Sequence, residues 1–325
     1  MPTKSEPPDL AIDQAFAATG GKTNVWEPAY SGALSFMRRR YTKDFRGDAV
    51  DVVVSGVPFD LGTTNRPGSR FGPRGIREAS TQLAWGEPHW PWDFDPFAIL
   101  GVIDWGDVPC LPSKPGEMVA AVEAHAAAVL EAGKSLLTFG GDHLIALPLL
   151  RAHAKRFGPI SLIHFDAHTD TEDDAAMFDH GGMFHDAVEE GLIDPDRSVQ
   201  VGIRTYYDPE GHRFRVLDGD WVQNHSLQAA VDAISQTVGD HRAYLSFDID
   251  CLDPSCAPGT GTPVCGGLTT NQALQILRGL VDVDLIGMDL VEVAPHYDVA
   301  EITSLAAAHI AVEYLCVRAA QKRRP

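Results

Sequence analysis

Positive charge, paired cysteines and long apolar runs are all scarce in this chain of 325 residues. Lys and Arg number 26 against 45 Asp and Glu, leaving a formal net charge of −19. Nucleic acid demands a basic face to neutralise its phosphates, so a nucleic-acid partner is excluded. An acidic field draws cations instead, metal ions and amines among them. The five cysteines (Cys110, Cys251, Cys256, Cys265, Cys316) are odd in number, and even the crowded stretch "CLDPSCAPGTGTPVC" holds no C-x-x-C pair. A structural zinc site and a disulfide scaffold are thereby set aside, and free thiols in a reducing cytoplasm are the expectation. No run of about eighteen apolar residues is apparent, and the opening "MPTKSEPPDLAIDQAFAATGGK" has no apolar signal core, so no membrane partner is expected.

What is present has a rhythm. Residues 1–45, with Pro7-Pro8, Gly20-Gly21 and Arg38-Arg39-Arg40, read as an N-terminal arm, the basic run being a solvated face or a subunit contact. From residue 46 to 325 apolar, β-branched runs recur: "DVVVSGVP" (51–58), "ILGVID" (99–104), "SLLTFGG" (135–141), "ISLIHFD" (160–166), "SVQVGIR" (198–204), "AYLSFDID" (243–250) and "LIGMDLVEV" (285–293). They are continuous rather than alternating, as strands covered on both faces must be. Helical patterns lie between them at 117–133, closed by Gly133, and at 271–281 and 301–322. The alternation predicts one α/β domain on a largely parallel sheet.

Ligands of parallel α/β sheets bind beyond the carboxyl ends of the strands, and here the charge gathers at those ends. "GGDH" places Asp142 and His143 after one strand, "HFDAHTD" places Asp166, His168 and Asp170 after another, and "FDID" places Asp248 and Asp250 after a third. Glu292 follows a fourth. Read as extended backbone, Asp166, His168 and Asp170 share one face, and so do Asp248 and Asp250. A single Asp or His at a strand end is usually a turn residue. Four carboxylates converging on one point, however, repel one another unless cations neutralise them. Imidazole with carboxylate suits divalent manganese, nickel or zinc, and two such ions sharing carboxylates activate water as a nucleophile. Asp142 and Asp253 read as supporting or turn residues, and His164 as pointing into the sheet packing. His89, His125, His153, His212, His225, His241 and His309 read as structural, and the aromatic stretch at 85–94 as core or subunit contact.

At these residues the chain resembles a known family. "GGDH", "FDAHTD" and "SFDIDCLDPSCAPGTGTP" are similar to the three signature segments of the ureohydrolases, the family of arginases and agmatinases. The resemblance runs from about Gly56 to the C-terminus and is strongest to bacterial agmatinases, as in "REASTQLAW" and "VEVAPHYDVAEIT". It implies a three-layer α/β/α fold with an eight-stranded, largely parallel sheet. It also implies two divalent ions, Mn2+ first and Ni2+ second, and assembly into trimers or hexamers, a hetero-oligomer with a related subunit included. By motif, His143, Asp166, Asp170 and Asp248 hold one ion, and Asp166, His168, Asp248 and Asp250 the other. Glu292 matches the guanidinium-binding glutamate, and His180 in "FDHGGMF" the loop histidine that assists proton transfer.

The implied reaction is hydrolysis of a guanidine C–N bond, with agmatine yielding putrescine and urea. The loop "TEDDAAMFDH" (171–180) carries Glu172, Asp173, Asp174 and Asp179 and lacks the Asn and Ser with which arginases hold a carboxylate. It favours a small cationic guanidine over guanidinobutyrate or guanidinopropionate. Gly182 stands where bacterial agmatinases carry threonine, which leaves a substituted guanidine or biguanide as an alternative substrate. A non-catalytic ureohydrolase-like subunit is the alternative of another class, and the full set of six metal-binding positions weighs against it.

Overall fold

The computed structural model describes residues 28–47, 49–85, 89–173 and 178–324. Its centre is one sheet of eight parallel strands: β1 (Val52–Val57), β2 (Val102–Asp107), β3 (Ser135–Gly140), β4 (Ser161–Phe165), β5 (Val199–Val201), β6 (Arg215–Leu217), β7 (Ala243–Asp248) and β8 (Leu285–Val291). They lie in the order β2-β1-β3-β8-β7-β4-β5-β6. Six of the eight strands extend over five residues or more; β5 and β6 have three each, and β6 at 215–217 escaped the sequence reading because nothing separates so short a strand from a loop.

Side chains alternate between two cores, one on each side of the sheet. In β1, Val52 and Val54 join one core while Val53 and Val57 join the other. The first core is closed by α1 (Gly72–Ser80), α6 (Leu227–Val238), α7 (Thr270–Gly279) and α8 (Ile302–Arg323). The second is closed by α2 (Pro115–Glu131), α3 (Ala146–Phe157) and α4 (Met183–Glu189), and a short α5 (Gly219–Asn224) follows β6. With helices on both faces no strand face meets water, which is why the runs read as continuous. Gly133 lies just past α2 with φ +74°, a conformation glycine adopts without strain.

One expectation needs correction. Arg38 and Arg39 form no solvated face: both are buried, and only Arg40 of the run is exposed. Phe36 and Met37 enter the first core, the Phe36 N–H donates to Asp104 Oδ2 at 2.7 Å, and the Arg39 guanidinium stacks 4.2 Å from the Phe97 ring. Residues 1–27 of the expected arm lie outside the described residues. Among the described residues α8 is long and apolar enough to cross a membrane by length and composition, but 78% of its apolar window is buried within the protein.

Candidate active site

The four middle strands β3, β8, β7 and β4 end side by side, and every residue of the predicted site follows one of them. After β3 the chain turns through Gly141, where a Cβ would meet Phe59 O at 2.2 Å and Val57 O at 2.6 Å. Only glycine allows this approach, and it seats His143 at the first position of a 3-10 turn.

Beyond β4 and β7 the backbone is not extended, contrary to the period-two expectation. Asp166 Oδ1 accepts the His168 N–H at 2.6 Å, and Asp170 sits in the left-handed region at φ +52°. Asp248 Oδ1 accepts the Asp250 N–H at 2.7 Å and opens a 3-10 turn over Ile249–Cys251. In both segments an aspartate caps the residue two positions on, and the turn does the gathering that the pleat was expected to do.

The gathering is tight. His143 Nδ1 lies 2.9 Å from Asp170 Oδ2, 3.1 Å from Asp166 Oδ2 and 3.5 Å from Asp248 Oδ2. His168 Nδ1 lies 3.2 Å from Asp250 Oδ2 and 3.3 Å from Asp166 Oδ1. Asp166 thus presents one oxygen to each group, and the structure brings together all six residues proposed from sequence. His164, expected in the sheet packing, also belongs here: its Nε2 lies 2.8 Å from Asp166 Oδ2. It stands two positions before Asp166 and therefore on the same side of β4.

The donor chemistry demands cations. Ser246 has one hydroxyl hydrogen, which goes to Asp289 Oδ1 at 2.7 Å, so its oxygen accepts from His143 Nε2–H at 2.8 Å. A neutral His143 therefore aims the lone pair of Nδ1 at three carboxylate oxygens. Acceptor facing acceptor is stable only with a proton or a metal ion between them. Charge gives the same answer. Burial, together with the nearby Asp166 charge, pushes Asp170 and Asp250 up to about 6, and burial with Asp250 and Asp166 holds Asp248 well above the carboxylate range. Burial would strip the proton from His143, yet hydrogen bonds to Asp166, Asp170 and Asp248 outweigh it and raise that imidazole well above its ordinary value. The cage attracts positive charge and fits divalent ions held by imidazole and carboxylate.

Beside the cage, Glu292 is buried with its backbone at φ +62°. Its Oε1 accepts from the His143 N–H at 3.0 Å and from His180 Nδ1–H at 2.8 Å, while Oε2 has no partner among the described residues. Thr64, which the sequence reading missed, serves the other side of His180: its N–H and Oγ1 lie 3.1 Å and 3.0 Å from Nε2. Burial lowers the His180 pKa, but the Glu292 hydrogen bond and charge, with Asp170 and Asp142 beyond, raise it to about 9. The Thr64 N–H donates to Nε2, so in this arrangement Nε2 is an acceptor and the ring hydrogen sits on Nδ1; a proton on Nε2 would have to displace that N–H and could then go to the Thr64 hydroxyl oxygen.

His180 and Asp248 open onto a cavity of about 760 Å³. Glu172, Asp173, Asp179, Glu189 and Asp208 line it, and among the described residues of its wall Arg213 is the one Lys or Arg. Asp174 lies outside the described residues. Glu292 does not form part of this wall and lies behind the wall residue His180, bonded to its Nδ1. Tyr206, Tyr207 and Phe214, from the loop between β5 and β6, complete the far side and were not anticipated. Asp142 and Asp253 are supporting residues as read: Asp142 Oδ2 accepts the Gly62 N–H at 2.6 Å, and Asp253 Oδ1 accepts the Ser255 N–H at 2.9 Å.

The family model for the arginase family matches residues 50–316. The chain belongs to the arginase family. An agmatinase of Chromobacterium violaceum is 53% identical over 294 residues, 90% of each chain. The crystal structure of a hypothetical agmatinase from Burkholderia thailandensis superposes with a TM-score of 0.91 at 52% identity, covering 97% of this chain and 100% of that one. Proclavaminate amidino hydrolase from Streptomyces clavuligerus follows at 0.84 and 37%, covering 91% and 100%. This arginase-family chain is accordingly a metal-dependent amidinohydrolase, and its fold implies a dinuclear divalent centre at the cage.

Proposed function

We propose that the enzyme hydrolyses agmatine to putrescine and urea, with two Mn2+ ions held by His143, Asp166, Asp170 and Asp248 and by Asp166, His168, Asp248 and Asp250. The observation that carries the substrate is the cavity wall, where five carboxylates oppose Arg213. A dication with a guanidinium at one end and an ammonium at the other finds opposite charge along its length, while a guanidino acid meets like charge. The relatives named agmatinase, at 53% identity and similar values, point the same way.

Divalent ions held by these residues would acidify a bound water and so provide the nucleophile. The chain's own residues do the rest. Glu292 Oε1 is occupied by the His143 and His180 hydrogen bonds, so Oε2 is the oxygen left to accept a guanidinium N–H. A charge-assisted bond of this kind contributes about 1.5–3 kcal/mol. His180 is held by Glu292 at Nδ1 and delivers a proton from Nε2 to the departing amine, after which Nε2 accepts the Thr64 N–H.

The single catalytic domain over residues 46–325, assembly into trimers or hexamers and work in a reducing cytoplasm belong to the same proposal; all five thiols are free. Urea release measured over agmatine, guanidinobutyrate, guanidinopropionate and a biguanide tests it. Agmatine is expected to lead. A second reading, a guanidino acid as substrate, is favoured by Arg213 in the wall, and turnover of guanidinobutyrate above agmatine would establish it.

A further inference from the structure

His212 was read as structural, yet it lines the cavity, and a chain of hydrogen bonds leads from it to the cage. His212 Nε2 lies 2.7 Å from Gln200 Oε1, Gln200 Nε2 lies 3.0 Å from His164 Nδ1, and His164 Nε2 lies 2.8 Å from Asp166 Oδ2. Gln200 and His164 are register partners on β5 and β4, so their side chains stand abreast. The direction of the chain is unambiguous. Gln200 Nε2 can only donate; it gives one hydrogen to the Thr169 carbonyl at 2.7 Å and the other to His164 Nδ1. His164 Nδ1 is therefore an acceptor, and its one ring hydrogen sits on Nε2, aimed at Asp166. The Gln200 carbonyl oxygen needs a donor, and His212 Nε2–H is that donor.

We propose that His212, Gln200 and His164 act as positioning residues that, from the wall of the substrate cavity, fix which oxygen of Asp166 faces which metal ion. Asp166 presents Oδ2 to the His143 side and Oδ1 to the His168 side, so a bond to one named oxygen sets the orientation of the shared ligand. The ring of His212 is itself held, packing 5.0 Å from Tyr207 and 5.5 Å from Phe214, two other residues of the cavity wall. The Gln200 carboxamide also ties Thr169, whose carbonyl precedes the left-handed Asp170, so the same side chain steadies two ligands of one ion. Partners behind metal ligands set ligand orientation, and losing one typically costs about 10–100-fold in metal affinity or activity.

The inference rests on the metal-dependent reading, and its test reads metal directly. Mn2+ uptake is measured by equilibrium dialysis with elemental analysis, beside steady-state agmatine hydrolysis, for the parent, Gln200→Met, His212→Phe and His212→Gln. Gln200→Met keeps the bulk and removes both polar atoms; its Mn2+ affinity is expected to fall by about 10–100-fold, with kcat recovering in excess Mn2+ and KM for agmatine unmoved. His212→Phe acts one link further out and is expected to lose about tenfold or less. His212→Gln restores an N–H donor to the Gln200 carbonyl and is expected to regain the parent value, which a packing role alone would not produce. A parent that takes up no Mn2+ overturns the metal-dependent reading and the chain with it. A parent that binds two ions while Gln200→Met binds them equally well overturns the chain alone. If Gln200→Met does not fold, equal Mn2+ affinities for His212→Phe and His212→Gln overturn the proposal.

Discussion

The cage and the cavity wall lie against each other and are built on opposite plans. Cage residues sit at the ends of β3, β4 and β7, His143, Asp166, Asp248 and Asp250 are buried, and three are held by bonds from behind: Ser246 and Asp289 behind His143, His164 behind Asp166, and Arg204 binding the Asp250 carbonyl at 2.5 Å. The wall comes mainly from two segments, within 171–181 and 204–214, where Glu172, Asp173 and Tyr206 are exposed, with Glu189 added from α4. The difference separates the two tasks. Chemistry needs ligands held within tenths of an ångström, whereas substrate selection by charge needs only the right sign at the right end.

If that division holds, substitutions should lose effect steadily on passing from cage to wall. Asp248→Asn removes the charge of a carboxylate whose Oδ2 lies 3.5 Å from His143 Nδ1 and whose Oδ1 holds the Asp250 N–H. It is expected to abolish urea release and lower bound metal, measured by elemental analysis; full occupancy with near-parent turnover would break the division at its strongest point.

His180 stands at the boundary. His180→Ala is expected to keep both ions and slow turnover by about 10²–10⁴-fold. It also reports on pH. A folded pKa of about 9 against an ordinary 6.5 means that the His180 contribution to stability is fully present below pH 6.5 and is lost as pH rises through 9. That contribution amounts to about 3 kcal/mol. Denaturant unfolding of the metal-free proteins should therefore separate parent from His180→Ala most widely near pH 6, and the gap should close by pH 10. A gap independent of pH would mean that the Glu292 pair does not hold the proton there.

The smallest effect belongs to the wall. Asp173→Asn, at an exposed carboxylate, is expected to raise KM for agmatine by about 1.5–5-fold, the equivalent of 0.2–1 kcal/mol, with kcat unchanged and the shift shrinking in high salt. A loss as large as that of His180→Ala would place the loop in the chemistry rather than the selection.

The sites legible in the sequence were those where one short segment holds several ligand types. "GGDH", "FDAHTD" and "FDID" mark the cage with no knowledge of which strands adjoin. Counting parity along β4 would also have found His164, since an interval of two returns to the same side. Thr64, Ser246, Asp289, Gln200 and His212 carry no such mark; each is an ordinary polar residue until another segment comes within hydrogen-bond distance. Arg38 and Arg39 misled for the opposite reason, because a run of like charge is usually solvated, whereas here the Arg38 guanidinium donates to the Pro28 and Ser31 carbonyls and Arg39 stacks on Phe97.

By itself the sequence determined the alternation of buried strands and helices, and with it a parallel sheet whose carboxyl ends carry the charge. Hydrophobic continuity is a local property, and so is the clustering of Asp and His after an apolar run. Only the tertiary structure decided that β3, β8, β7 and β4 lie adjacent, that Asp166 and Asp248 turn through capped bends to face His143, and that His180 meets Glu292 across 112 residues of chain. Each of these depends on strand order and on groups far apart in sequence, and the bond between two such groups is written in neither segment alone.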